Sequence, residues 1–262
     1  MVLSMDRWVG KVAVVTGASA GIGAAIAEQL VEKGLKVVAL ARRKERLNEL
    51  AKKLANKKGK LYPVKTDISK EEDILNAFKW IKENLGPVHI LVNNAGILKM
   101  GNTLTDGDTD TWRDVLNVNV LGLCIATREA VRDMKVNKID GHIIHINSTA
   151  GHQVPPTPGL NVYPASKYAV TALAETLRLE LNSQKSRIKI TSLSPGVVLT
   201  EIAAGVLEKL IKTMGKDEQL LDAQDVADAA VVYALSTPPH VQIQELTIRP
   251  ILDIHFSELL KN

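Results

Sequence analysis

The 262-residue sequence has one cysteine, Cys124, so no intrachain disulfide can form. A chain of this length can bury a core large enough to need no covalent staple. A single thiol in the apolar helical run at 121–126 suits a buried structural role. It also fits a reducing compartment. Residues 1–6 have neither a basic stretch nor a long apolar one, so no signal peptide is expected, and the expected location is cytoplasmic. No apolar run approaches the ~18 residues that a membrane span needs. Aromatic residues make up only 3% of the sequence, which leaves little for stacking on bases. The net charge is +4, but lysines and acids alternate, as in Lys70-Glu71-Glu72-Asp73. That is the pattern of solvated helix faces, so no nucleic-acid partner is expected. The six histidines show no HExxH or paired spacing, and no metal site is expected.

What is present is alternation. Short apolar runs at 12–16, 36–40, 60–65, 89–93, 142–147 and 189–194 read as buried strands. Amphipathic stretches at 23–33, 44–57, 71–84, 109–135 and 162–183 separate them. With no linker or repeat, this order predicts a single α/β domain over 1–262: a Rossmann-type doubly wound parallel sheet in three α/β/α layers. Ligands of such sheets bind beyond the strand C-terminal ends.

Two motifs carry chemistry. After the first strand comes Thr16-Gly17-Ala18-Ser19-Ala20-Gly21-Ile22-Gly23, followed by a helical pattern that Gly34 closes. Strand, glycine turn and helix form the context of a dinucleotide fingerprint. Gly17 permits the tight turn, while Gly21 and Gly23 let the backbone approach a pyrophosphate and the helix pack on the strand. The helix amides then face the anion. The second motif is Tyr163-Pro164-Ala165-Ser166-Lys167, which sets a phenol and an ammonium on one helix face. A nearby fixed positive charge lowers a phenol's pKa toward the range that acid–base catalysis uses.

With these motifs the chain resembles the short-chain dehydrogenases/reductases. TGxxxGxG is that family's fingerprint, and Asn93-Asn94-Ala95-Gly96 matches its NNAG segment. Asn119 and Ser148 match its catalytic asparagine and serine, and Pro195-Gly196-Val197-Val198-Leu199-Thr200 matches its PGxVxT segment. The resemblance implies catalysis by Asn119, Ser148, Tyr163 and Lys167. Tyr163 would move the proton, Lys167 would lower its pKa and bond the nicotinamide ribose, and Ser148 would orient the carbonyl oxygen. Asn119 would hold a water linking Lys167 to solvent. Alone, Ser148 also reads as a strand-end cap. The implied cofactor contacts are Gly17, Ser19, Gly21, Ile22 and Gly23 in the turn, with Asn94, Ala95 and Gly96 from the NNAG segment. Pro195, Gly196, Val198 and Thr200 would join them, together with Tyr163 and Lys167. Asp67 matches the adenine-contacting aspartate and reads equally as a helix N-cap.

The second strand ends in Ala41-Arg42-Arg43, with no acid to bond an NAD ribose. Arg42 and Arg43 suit a 2′-phosphate, so NADP(H) is the expected cofactor; a solvated helix start is the other reading of this pair. Substrates are expected among apolar alcohols and their aldehydes or ketones: isoprenoids, steroids or xenobiotic carbonyls. The alternative is an NADP(H)-binding redox sensor with little turnover. The proline-rich loop at 152–159 should bulge at the pocket mouth. Residues 202–214 read as an amphipathic helix, either a substrate lid spanning roughly 200–222 or a core helix. His145 and His152 read as packing or pocket-rim residues. The resemblance further implies a homodimer or homotetramer built partly from the helices at 109–135 and 162–183.

Overall fold

A computed structural model describes residues 3–101, 103–204 and 219–251. Seven strands form one sheet: β1 (Val12–Thr16), β2 (Lys36–Ala41), β3 (Lys60–Lys65), β4 (Val88–Asn93), β5 (His142–Ile146), β6 (Lys189–Pro195) and β7 (Glu245–Ile248). Their order is β3-β2-β1-β4-β5-β6-β7, and every pairing is parallel. Strands β1 to β6 each lie within one residue of their sequence-predicted bounds; β1, β2 and β4, buried along nearly their whole length, read as near-continuous apolar runs. Sequence order runs outward in both directions from the β1/β4 pair. A crevice opens at that reversal, beyond the strand C-terminal ends.

Successive side chains of each strand enter opposite layers. Ala13, Val15, Ile90, Val92 and Ile144 pack under α1 (Gly21–Glu32), α2 (Lys44–Lys53) and a C-terminal helix. Val12, Val14, Leu91, Ile143 and Ile190 pack under α3 (Glu71–Asn84), α5 (Leu123–Val136) and α6 (Tyr163–Ser183). Gly34, at φ +90°, ends α1 as the sequence predicts. Its amide donates to Val31, and that of Leu35 donates to Leu30. Helix α2 stops at Lys53, short of the predicted 57, because the chain must tighten toward Gly59. A Cβ on Gly59 would lie 2.2 Å from the Leu35 carbonyl oxygen.

The helix expected over 109–135 is interrupted. Helix α4 (Thr109–Leu116) passes into a π turn at Asn117–Gly122 before α5 begins. Helix α7 (Ala223–Asp228) was not read from the sequence. A capping box between Asp222 and Asp225 starts it, and it passes into a second π stretch at Ala229–Leu235. The amphipathic segment predicted over 202–214 lies, from residue 205 on, outside the described residues. The chain leaves the sheet after Pro195, enters a 3₁₀ turn over Glu201–Ala203, and Leu221 forms an isolated parallel bridge to Val198.

Candidate active site

The floor of the crevice is built at the end of β1. Gly17 sits at φ +69°, and a Cβ there would approach the Ala95 Cα to 2.8 Å. At Gly23 a Cβ would lie 2.3 Å from the Asn94 side-chain nitrogen, so both glycines are needed for the β4 loop to lie against the β1 turn. Thr16 fastens the two together, since its Oγ1 accepts from the backbone amides of Asn94 and Ala95, each at 3.0 Å. Asn94 Nδ2 returns a bond of 3.0 Å to the Thr16 carbonyl. This role of Thr16 was missed in the sequence, where a strand-end threonine carries no distinguishing mark. Helix α1 starts at Gly21 with Ala20 at its N-cap, which offers no side-chain acceptor to the first-turn amides. Those amides face the crevice as a ready anion site.

Tyr163 and Lys167 share the inner face of the first turns of α6. The Lys167 ammonium lies 5.8 Å from the centre of the Tyr163 ring and donates to the Ile146 carbonyl at 3.0 Å. Burial pushes this ammonium down to about 8. The phenol does not follow the sequence expectation. Burial raises Tyr163 above its ordinary value, and its hydrogen bond with Ser148 opposes that rise. Desolvation is the larger cause and outweighs that bond. Ser148 makes two contacts. It bonds Tyr163, and its Oγ also caps a 3₁₀ turn by accepting from the Ala150 amide at 3.1 Å.

Asn119 lies on the π turn and is buried. Its Oδ1 accepts from the Ile97 amide at 2.8 Å. Its Nδ2 donates to the Ile97 carbonyl at 3.0 Å and to Ser166 Oγ at 3.1 Å. Ser166 in turn donates to the Tyr163 carbonyl at 2.6 Å. Asn119 therefore ties the segment after Gly96 to the helix that carries the phenol. His145 is a core residue. Its Nε2 meets Thr127 Oγ1 at 3.3 Å, and burial, with the Lys167 charge second, holds it near 3. His152 bonds Ser194 at 2.8 Å and lies 3.3 Å from Glu245.

At the end of β2, Arg42 and Arg43 point to the crevice side. Arg43 donates to Ser19 Oγ from Nε at 3.2 Å and from Nη2 at 3.0 Å, and its Nη1 lies 2.8 Å from Glu201. Asp67 is not the N-cap of α3, a position that Lys70 holds. It forms a local turn, accepting from the Ser69 amide and hydroxyl at 3.1 and 2.7 Å. Burial would raise its carboxyl, but the Ser69 bonds and the charges of Arg42 and Lys70 leave it below its ordinary value.

These groups line one cleft of about 530 Å³. It brings together Gly17, Ser19, Gly21, Ile22, Arg42, Arg43, Asp67, Asn94, Ala95, Gly96, Ser148, Tyr163, Lys167, Pro195, Gly196, Val198 and Thr200. Gly23 and Asn119 stand behind the wall. Pro155, Thr157 and Leu160 of the proline-rich region border the opening, as expected for a loop that bulges at the mouth. Open amides at the start of α1, a glycine floor and two arginines at the end of β2 fit a phosphorylated dinucleotide. No cluster of histidine, cysteine and carboxylates fit for a metal occurs among the described residues.

The model for short chain dehydrogenases matches residues 11–210. The chain belongs to the short-chain dehydrogenase/reductase family. It is 51% identical to farnesol dehydrogenase of Aedes aegypti over 94% of this chain and 98% of that protein. It is 48% identical to human dehydrogenase/reductase SDR family member 11 over 94% of this chain and 96% of that protein. Among solved structures, serine dehydrogenase complexed with NADP+ superposes with a TM-score of 0.80 at 31% identity, covering 92% of this chain and 95% of that one. A short chain dehydrogenase from Burkholderia cenocepacia in complex with NADP superposes with a TM-score of 0.81 at 29% identity, covering 96% and 99%. Members of this family with these names are dehydrogenases and reductases, and this chain is an oxidoreductase.

Proposed function

We propose that this oxidoreductase uses NADP(H) to interconvert apolar alcohols with their aldehydes or ketones. The observation that carries the reading is the convergence of Tyr163, Ser148 and Lys167 on a cleft whose other end has uncapped helix amides and two arginines. Ser19, Gly21 and Ile22 would hold the pyrophosphate, Asp67 the adenine, and Arg42 with Arg43 the 2′-phosphate. When bound, the nicotinamide supplies or takes up the hydride equivalent.

The protein's own work is proton handling and orientation. Ser148 Oγ, on the Tyr163 hydroxyl, fixes where a substrate oxygen sits between them and stabilises charge developing there. Tyr163 Oη gives its proton to that oxygen in reduction and takes it back in oxidation. Burial favours the neutral phenol, so the tyrosine rests in the form that donates. Lys167 then stabilises the phenolate left behind. Asn119, through Ile97 and Ser166, holds this helix against the β4 loop. Leu160, Pro155 and Ile202 give the substrate end an apolar wall, which supports an apolar substrate class. The farnesol dehydrogenase relative supports an isoprenoid alcohol within that class. Exposed Leu116 and Leu121, with Tyr168 and Leu179 on α6, support a homo-oligomer formed through these helices.

The test is an NADPH-oxidation assay on a panel of apolar ketones, aldehydes and quinones. Tyr163→Phe should retain NADPH binding and lose turnover by on the order of 10²–10⁴-fold. Near-full activity of that variant would refute the assignment. Arg42→Ala should weaken NADPH roughly 10- to 150-fold, the worth of one charge-assisted contact, and leave NADH nearly untouched. Equal loss of both cofactors would return the arginine pair to a plain helix start.

A further inference from the structure

Glu201 already occupies part of the guanidinium surface that an adenosine 2′-phosphate would use. Its Oε2 lies 2.8 Å from Arg43 Nη1 and its Oε1 lies 2.5 Å from Arg46 Nη1. Ser19 takes two further Arg43 donors, so three of the five donors of that fork are engaged by the protein itself. The Arg42 guanidinium, one residue earlier, lines the same cleft; it makes no hydrogen bond or ion pair with the described residues and bears on Asp67 through its charge. The two neighbouring arginines are thus in different states: one keeps its hydrogen-bond donors unused among the described residues, and one is held by a carboxylate. Glu201 directly follows Thr200, whose methyl borders Gly21 at the mouth of α1, so the carboxylate is held at the cofactor end of the cleft.

We infer that Glu201 competes with the cofactor's 2′-phosphate for Arg43 and so sets how strongly the protein prefers the phosphorylated form. This rests on the reading that the cleft takes NADP(H). Carboxylate and phosphate are both anions that match the arginine fork. A phosphate reaching Arg43 must displace Glu201 toward Arg46 or share the guanidinium with it, and like charges then repel. Both partners are about half exposed, at 46% and 57%. An ion pair in that setting is weak and readily exchanged. Glu201 therefore moderates the preference and does not block it. Its effect falls on ligands with a 2′-phosphate and leaves the nicotinamide end untouched.

The experiment is direct binding of 2′,5′-ADP and of 5′-ADP by calorimetry at low ionic strength, without substrate or turnover. Glu201→Gln should tighten 2′,5′-ADP roughly 2- to 5-fold, the range of one exposed ion pair. It should leave 5′-ADP unchanged. The gain should shrink at 0.5 M salt, where charges on the surface are screened. In an Arg43→Ala background most of the gain should vanish. Unchanged or weaker 2′,5′-ADP binding by Glu201→Gln would overturn the competition, and so would a gain that persists without Arg43. A wild-type protein that binds the two diphosphates equally would instead overturn the NADP(H) reading, and this inference with it.

Discussion

Two buried lysines stand at opposite ends of the sheet. Lys189 opens β6 on the N-terminal edge, and Lys167 faces the cleft beyond the C-terminal edge. Burial lowers each to about 8, and neither meets a carboxylate. An ammonium has three donors. Lys189 gives all of its own to the protein: Thr237 Oγ1 at 3.1 Å, the Pro238 carbonyl at 2.8 Å, and the Val241 carbonyl at 2.5 Å. Lys167 gives one, to Ile146. Each also has a buried histidine on β5. His142 is the register partner of Lys189, and the charge of Lys167 bears on His145. The same residue pair is thus a strut where its donors are all used, and in the proposed function it is chemistry where, among the described residues, two donors remain for a ligand. Perturbed ionisation alone does not separate the two cases, whereas donor bookkeeping does.

Three experiments would break or sharpen that contrast. The largest effect is expected from Lys167→Met. The value of kcat/KM should fall by on the order of 10²–10⁴-fold, with the thermal midpoint level or slightly higher, because only one protein bond is lost and a buried charge is removed. A matching collapse in stability would make Lys167 a strut as well. Next comes acid. Burial holds His142 and His145 near 3, while an unfolded histidine titrates near 6.5. Between those values the unfolded chain binds more protons, so stability is full above about 6.5 and drains away as pH falls toward 3. By pH 5 the loss should be about 2 kcal/mol per histidine, read by urea unfolding at pH 7 and pH 5. A flat profile would mean that these rings are not held neutral. The smallest effect is that of Lys189→Met, which leaves buried acceptors unsatisfied at a cost of about 1–3 kcal/mol. That corresponds to roughly 3–10 °C in the thermal midpoint, with kcat/KM nearly unchanged. Loss of activity without loss of stability would reverse the roles of the two lysines.

The central strands β1, β2 and β4 were legible because burial leaves them largely apolar, and the cleft was legible because its groups follow strand ends. The NNAG, PGxVxT and YxxxK residues meet as the topology requires. What was hidden depends on three-dimensional partners. Thr16 gains its role only from Asn94 and Ala95, residues far along the chain. The N-terminal turn Asp6–Trp8 is pinned by Arg7 and Trp8 to the Leu235 carbonyl at 3.1 and 2.8 Å, which no local pattern announces. The Tyr163 ionisation was misread because sequence spacing shows the neighbouring cation and not the depth of burial that opposes it. The division between Arg42 and a clasped Arg43 needed the position of Glu201.

The π turn at Asn117–Gly122 has a consequence for insertions and deletions in this stretch. A π turn holds about one residue more than an α turn, and each α-helical residue advances the face by roughly 100°. The extra residue is therefore a phase shifter between α4 and α5. It lets Val115 face inward on one side of the turn and Ile125, Ala126 and Ala130 face inward on the other. It also presents Asn119 to Ile97 and Ser166 from the widened coil. Deleting one residue here would regularise the hydrogen bonding while turning one half of the helix out of phase with the sheet. Apart from Asn119 and Gly122, where a Cβ would lie 2.3 Å from the Ile68 carbonyl oxygen, the bend tolerates substitution far better than shortening.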